Sequence, residues 1–545
     1  MNFNKLFDHR AKNIASAAFI LGIAGFIADF LSLIRLSVFT TLFKTSDLDI
    51  FFAAFRIPDL LYNILILGAI STALIPVFSE HWLKSKKDAW QLYNNILCIF
   101  ISLLILSSIV LAIFAPQLMR LITPGFEKEK MAMVVKLTRI MFLSPILLGI
   151  SNIFGSVLQY FSKFLTYSLA PIMYNIGIIF GAIVFTPKIG IIGLALGVLL
   201  GAVLHLLIQL PALFLSGYHF QFVFNFRHRG IRKIFKLMIP RAIGLAAQQI
   251  NLIVITAIAS MLVAGSISLF NVSNDLQQVP VSLFGTSFAI AAFPSLSRSF
   301  SEKKKKEFIE KIASIASQVL FFLLPLSVLF FLLRAQIVRI ILGRQNFTWA
   351  DTRLAGACLG IFSISIFAQG LINLLSRAFY AAHDTRTPVK ITIFSIILNI
   401  ILSVFFVSTL SQQNSFFYYL ITILDLQGLS NISIIGFPLA FSLSSIFNLI
   451  LLLVSLKKKI GNEWDLKLGN VFLRLFLLSI ISGLITFGLL NIFSLILDLK
   501  TFLGIFLQAI FAGGTGAIFY IYLAKILKFP EYKLIFKNKE ERFPR

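Results

Sequence analysis

Fourteen stretches of about twenty residues each are apolar enough to cross a bilayer, and between them they use up most of the 545-residue chain. Their centres fall near residues 28, 66, 105, 146, 175, 202, 250, 283, 323, 366, 399, 444, 482 and 514. The intervening segments are too short for a soluble domain. The expected fold is therefore an all-α polytopic membrane protein with about 14 transmembrane helices. Composition agrees. Apolar residues make up 58% and charged residues 13%, with mean hydropathy +0.92, whereas a soluble globular chain is about 45–50% apolar and about 25% charged. That balance excludes a water-soluble enzyme, a disordered chain and a disulfide-rich secreted domain. Lys5, Arg10 and Lys12 precede the first apolar run as in a signal peptide, but the run continues to Phe43 without a clear cleavage site. It is read as a retained span.

The formal net charge of +26 is of the size found in nucleic-acid binders, but its placement points elsewhere. With the N-terminus inside and fourteen alternating spans, 32 of the 48 Lys and Arg residues fall on inside segments. Excess Lys and Arg mark the cytoplasmic side, so both termini are expected to be cytoplasmic. The outer exceptions are the segments Arg120 to Lys136 and Arg334 to Arg353. The run Lys303 to Lys306 is read as a topology determinant beside anionic lipid, and no nucleic-acid partner is expected.

Cys98 and Cys358 both lie in apolar runs and form no CxxC, so a structural role is expected. His9, His81, His205, His219, His228 and His383 are scattered without ligand spacing, so no metal site and no cofactor are expected. No Walker A motif, paired-carboxylate loop or other catalytic constellation is present, which points away from an enzyme. In the run Asp384-Thr385-Arg386-Thr387-Pro388, Asp or Thr is placed to cap a helix with Pro in its first turn.

Internal echoes divide the chain. The small-residue segment Gly68 to Pro76 pairs with Gly285 to Pro294, and Pro76 and Pro294 are 218 residues apart. Asn175-Ile176 pairs with Asn399-Ile400 at an offset of 224. These offsets predict two six-helix halves, residues 12–217 and 230–457, with the same inside-outside sense and a cavity between them. The spans at 471–495 and 500–528 have no counterpart and form an appended pair, 471–528, followed by a basic cytoplasmic tail, 529–545.

A charge at mid-bilayer costs about 2.5–3.5 kcal/mol on insertion scales, so each intramembrane charge needs a reason. Asp29 and Arg35 lie in span one, and Asp49, Arg56 and Asp59 at the start of span two. Arg241, Gln248, Gln249 and Asn251 lie in span seven, and Asn271, Asn274, Asp275, Gln277 and Gln278 in span eight. Arg56, Asp59 and Arg241 lie near span ends, where an interfacial or packing role is the alternative. Asp29, Arg35 and Asp275 lie deeper and are expected to line a hydrophilic cavity. Spans one, two, seven and eight correspond between the halves, which fits one central cavity.

Several motifs add up to a family resemblance. They are Asp49 to Leu61 (DIFFAAFRIPDLL), Gly68-Ala69 through Pro76, Thr123-Pro124-Gly125-Phe126, and Ala170-Pro171 before Asn175-Ile176. Further along come Gln209-Leu210-Pro211, Pro294 to Phe300 (PSLSRSF), and Phe379-Tyr380 followed by Asp384 to Lys390 (DTRTPVK). In this order and across the whole chain, the set resembles the MurJ (MviN) lipid II flippases of the multidrug/oligosaccharidyl-lipid/polysaccharide exporter superfamily. The resemblance implies two six-helix lobes around a cationic central cavity, plus two extra C-terminal helices forming a groove for the lipid tail. It also implies export of the undecaprenyl-pyrophosphate-linked peptidoglycan precursor to the outer leaflet by alternating access, in the inner membrane of a bacterium. The implied partners are lipid II, membrane lipids and the cell-wall synthesis machinery, with the chain itself a monomer. Arg35 and Asp49 match family positions, while three family arginines are replaced by Asp29, Tyr62 and Asp275. The expected substrate-binding residues are Arg35, Arg56 and Arg241 for the pyrophosphate and Asp29 and Asp275 for the sugar or peptide, with Asp49 and Asp59 also in the set. Two other readings stay open: export of a different lipid-linked glycan or a cation, favoured by the added acids, and a non-transporting role in envelope assembly.

Overall fold

Inside a bilayer no water is available to the backbone, so each N–H and C=O must find its partner within the protein. Accordingly, all regular structure among the described residues is helical. The computed structural model describes residues 14–67, 70–429, 431–461 and 468–532, and the side chains of these except 14–19, 67, 70–73, 237, 240 and 241. Lys5, Arg10, Lys12, Gly68-Ala69, most of the 461–465 linker and most of the basic tail lie outside the described residues.

Among the described residues, twelve helices are long and apolar enough to cross a membrane, and the pair Trp349–Ser363 and Ile366–Ala381, bent by 46°, adds a thirteenth. They fall at thirteen of the fourteen expected centres. The remaining one, near residue 66, is a succession of shorter segments: Thr45–Ala54, Arg56–Tyr62, a π-helical turn at Asn63–Leu67, and Ile70–Lys84. A second π-helical turn, Val281–Thr286, precedes Ser287–Ser301. The two π turns start 218 residues apart, the offset already seen between Pro76 and Pro294. Each is followed by a 15-residue helix. The sequence echo is thus also an echo in backbone geometry, since a π turn inserts a residue and re-aims the side chains beyond it.

The chain divides into two compact units, Met1–Ser268 and Leu269–Arg545. In the first, Phe164–Ile189 packs on Ile192–Leu207 through glycines. A Cβ at Gly181 would stand 2.2 Å from Gly197 Cα, and one at Gly177 would stand 2.4 Å from Gly201 Cα. Such backbone approach is how helices associate where lipid offers no hydrophobic drive. Helix Arg229–Ser260, the expected span seven, belongs to this first unit. In the second unit, Lys305–Leu332 carries a core of Phe308, Val319, Leu320, Phe321 and Leu324. The last two long helices, Leu468–Ile496 and Phe502–Ile526, pack against it, with the Tyr520 hydroxyl donating to the Phe321 carbonyl at 2.9 Å. Their outward faces carry exposed Leu484, Leu495 and Ile518, as a lipid-facing surface requires. At 384–388 it is Asp384 that caps, accepting from the Thr387 N–H at 3.0 Å.

Candidate functional site

A polar cavity of about 370 Å³ lies within the first unit. Its wall is assembled from four stretches of chain. The Arg56–Tyr62 helix and the π turn after it supply Asp59, Tyr62 and Asn63. Helix Leu143–Tyr160 supplies Leu148, Ser151 and Asn152. Helix Phe164–Ile189 supplies Tyr167, Pro171 and Tyr174, a spacing of four and three that sets them on one face. His205 and Gln209 complete it, again four apart.

Hydrogen bonds fix these side chains. Asn152 Nδ2 donates to the Tyr62 hydroxyl at 2.8 Å. Gln209 Nε2 donates to Ser151 Oγ at 2.6 Å, and Ser151 Oγ donates to the His205 carbonyl at 2.9 Å, clamping two spans together. Pro171, lacking an N–H, breaks the ladder of its helix at the wall. Asn175 Nδ2 bonds the Pro171 carbonyl at 3.2 Å and the Ala28 carbonyl at 3.3 Å. Its Oδ1 accepts from Arg35 Nη1 at 3.0 Å. Arg35 Nε is buried and makes no hydrogen bond, so this guanidinium keeps a donor in reserve. Arg56 is 6% exposed and donates through Nε to Thr256 Oγ1 at 2.7 Å. The charges of Arg56 and Arg35 both act on Asp59. The arrangement offers many neutral hydrogen-bonding groups, one carboxylate and two guanidiniums within electrostatic reach of it.

Of the residues expected to bind substrate, the structure thus brings together Arg35, Arg56 and Asp59. Asp29, half-buried on the helix of Arg35, does not line the cavity. Asp49 is 3% exposed, and its carboxylate accepts from the Gly265 N–H at 2.6 Å and from the Ser268 N–H and hydroxyl, each at 2.8 Å. It ties the chain entering helix Ser266–Pro280 to helix Thr45–Ala54. Asp275 belongs to the second unit, on a helix whose Gln277 accepts from Gln369 Nε2 at 2.7 Å. Arg241 lies on helix Arg229–Ser260, with its side chain outside the described residues. The cavity residues not anticipated are Ser151, Asn152, Tyr167, Tyr174, His205 and Gln209; their signal was partial, since Tyr167 and Tyr174 are seven apart and His205 and Gln209 four apart, spacings that put each pair on one helix face. Among the described residues, the histidines scattered in sequence meet once. His81 and His228 stand with Asp88 in a group whose ligand atoms lie within 4.8 Å of one another.

The family model of lipid II flippase MurJ matches residues 38–507. The chain belongs to this family. A probable lipid II flippase MurJ of Buchnera aphidicola (subsp. Acyrthosiphon pisum) is 28% identical over 96% of this chain and 98% of its own length. One from Rickettsia prowazekii is 30% identical over 70% of this chain and 76% of its own length. A solved lipid II flippase MurJ in an inward closed conformation shares the fold, with a TM-score of 0.74 at 23% identity over 94% of this chain and all of that one. An inward-facing MATE transporter of the MOP superfamily has a TM-score of 0.66 at 12% identity, covering 80% of this chain and 95% of its own. The family is one of transporters, and the member described here is a multi-pass membrane protein.

Proposed function

We propose that the chain moves lipid II from the cytoplasmic to the outer leaflet of a bacterial inner membrane, supplying cell-wall synthesis. The match to the family over residues 38–507 carries this reading, and the polar cavity of the first unit supports it. In this reading Arg35, with its unused Nε, takes a phosphate oxygen through a charge-assisted hydrogen bond. Arg56 and Arg241 supply further positive charge. Tyr62, Asn63 and Asn152 meet sugar or peptide groups where the family has arginine nearby. Among the described residues Asp59 is the one carboxylate lining the cavity, and Arg56 and Arg35 both bear on it. That balance favours an anionic head group over a cationic substrate.

The proposal extends to organisation. Six-helix lobes at 12–217 and 230–457 would give alternating access, with Asp29 and Asp275 among the substrate-binding residues. The pair 471–528 would hold the lipid tail, both termini would be cytoplasmic, and one chain would suffice. Expression of this chain in cells depleted of their own flippase tests the function. Growth is expected to be restored, and failure despite correct membrane insertion would overturn the proposal. Binding of lipid II to purified protein should weaken about 10- to 100-fold in Arg35→Ala, the effect of losing a charged hydrogen bond.

A further inference from the structure

Among the described residues, three ligand-type side chains from three separate elements converge in the first unit, apart from the cavity. His81 sits in the last turn of helix Ile70–Lys84, Asp88 in the first turn of Lys86–Ile113, and His228 caps Arg229–Ser260. His81 Nδ1 pairs with Asp88 Oδ2. The His81 and His228 rings are 5.5 Å apart at an angle of 42°. One ligand atom from each residue falls within 4.8 Å of the others, and all three side chains are half-buried. We propose that His81, Asp88 and His228 form a binding site for a divalent transition-metal ion of the zinc type.

The donor set fits that ion. Two imidazole nitrogens and a carboxylate oxygen are what zinc, nickel and copper take, whereas magnesium and calcium require oxygen ligands. Zinc bonds these atoms at about 2.0–2.2 Å, so modest side-chain rotations from the present separations close the shell, with water in the fourth position. The ion replaces the proton between His81 and Asp88 as the group joining them, with each ring's proton on its outer nitrogen. His228 Nδ1 now accepts from the Gly230 N–H at 3.1 Å. If the metal takes this nitrogen, the released amide belongs to a helix's first turn, where water can reach it. The scaffold already holds the elements in register, since Lys233 pairs with both oxygens of Glu80 across the same two helices. That pair also withdraws one nearby cation from the site, and Lys86 lies over the Trp82 ring, 5.8 Å from its centroid. A bound ion would pin the start of span seven to the turn between spans two and three.

The test uses the full chain, purified in detergent with any affinity tag removed, and titrated with zinc against a chromogenic competitor and, separately, with cobalt. One ion per chain is expected, with the visible absorption of four-coordinate cobalt, and with a rise in the unfolding midpoint. His81→Gln and His228→Gln should each lower affinity at least about tenfold, remove the cobalt band, and lose the rise in unfolding midpoint on adding metal. Asp88→Asn should shift the band. Should the glutamine variants prove unstable, ethoxycarbonylation of the two histidines with diethyl pyrocarbonate in the native chain, with and without zinc, gives the same answer through protection. No stoichiometric binding, equal binding by the variants, or no protection would overturn the proposal.

Discussion

Asp49 and Arg35 both match family positions, yet the structure gives them different work. Asp49 accepts three hydrogen bonds in a buried setting, so Asp49→Ala strands the Gly265 and Ser268 N–H groups, while the Ser268 hydroxyl keeps the Thr45 carbonyl. The expected loss is about 3 kcal/mol, read as a lowered unfolding midpoint in detergent, with Asp49→Asn intermediate because one oxygen still accepts. Arg35, which donates to Asn175 and leaves Nε unused, should affect substrate binding more than stability. Asp384 gives a pH prediction. Burial raises its carboxyl, but the Thr387 N–H, Lys459 and the Thr387 hydroxyl outweigh burial and hold it below the usual carboxylate range. Its contribution is therefore present above the ordinary carboxylate pKa and is lost as pH falls through the depressed folded value. Asp384→Asn should flatten that part of the acid limb in a plot of unfolding midpoint against pH. Residue identity was legible from sequence in each case. The division of labour was not, because a carboxylate facing three donors and one facing a cavity look alike until the partners are placed.

At the scale of elements, the glycines of Phe164–Ile189 and Ile192–Leu207 determine how closely two spans approach. Gly193, Gly197 and Gly201 recur every four residues, so they lie along one stripe. Gly181→Leu must push against Gly197 backbone, where nothing can rotate away. A cost of about 1–3 kcal/mol is expected from overpacking, seen as a reduced folded fraction after extraction, while Gly514→Leu, with open space around it, should be neutral. The π turns at Asn63–Leu67 and Val281–Thr286 show the opposite relation between pattern and structure. The repeated proline was visible in the sequence, but the extra residue ahead of it was not, since a π turn has no residue signature separate from an α-helix. That turn nevertheless decides where Asn63 points, and so part of the cavity wall.

For the whole molecule, the Lys and Arg distribution predicts topology. A fluorescent protein fused to the C-terminus should fold and fluoresce, and a phosphatase fused after Leu497, between the last two spans, should be active. The reverse pair of outcomes would refute both termini being cytoplasmic. The sequence by itself determined the class, the number of apolar segments, their helical state and the family, because bilayer thickness and the unmet backbone hydrogen bonds leave a long apolar segment few alternatives. Tertiary structure decided which polar residues act together. Arg35 meets Asn175 and His81 meets His228 across separations of 140 and 147 positions. Helical periodicity sets which face of a span a side chain occupies, but which other span that face meets depends on packing between distant segments, and that is where the cavity and the histidine cluster arise.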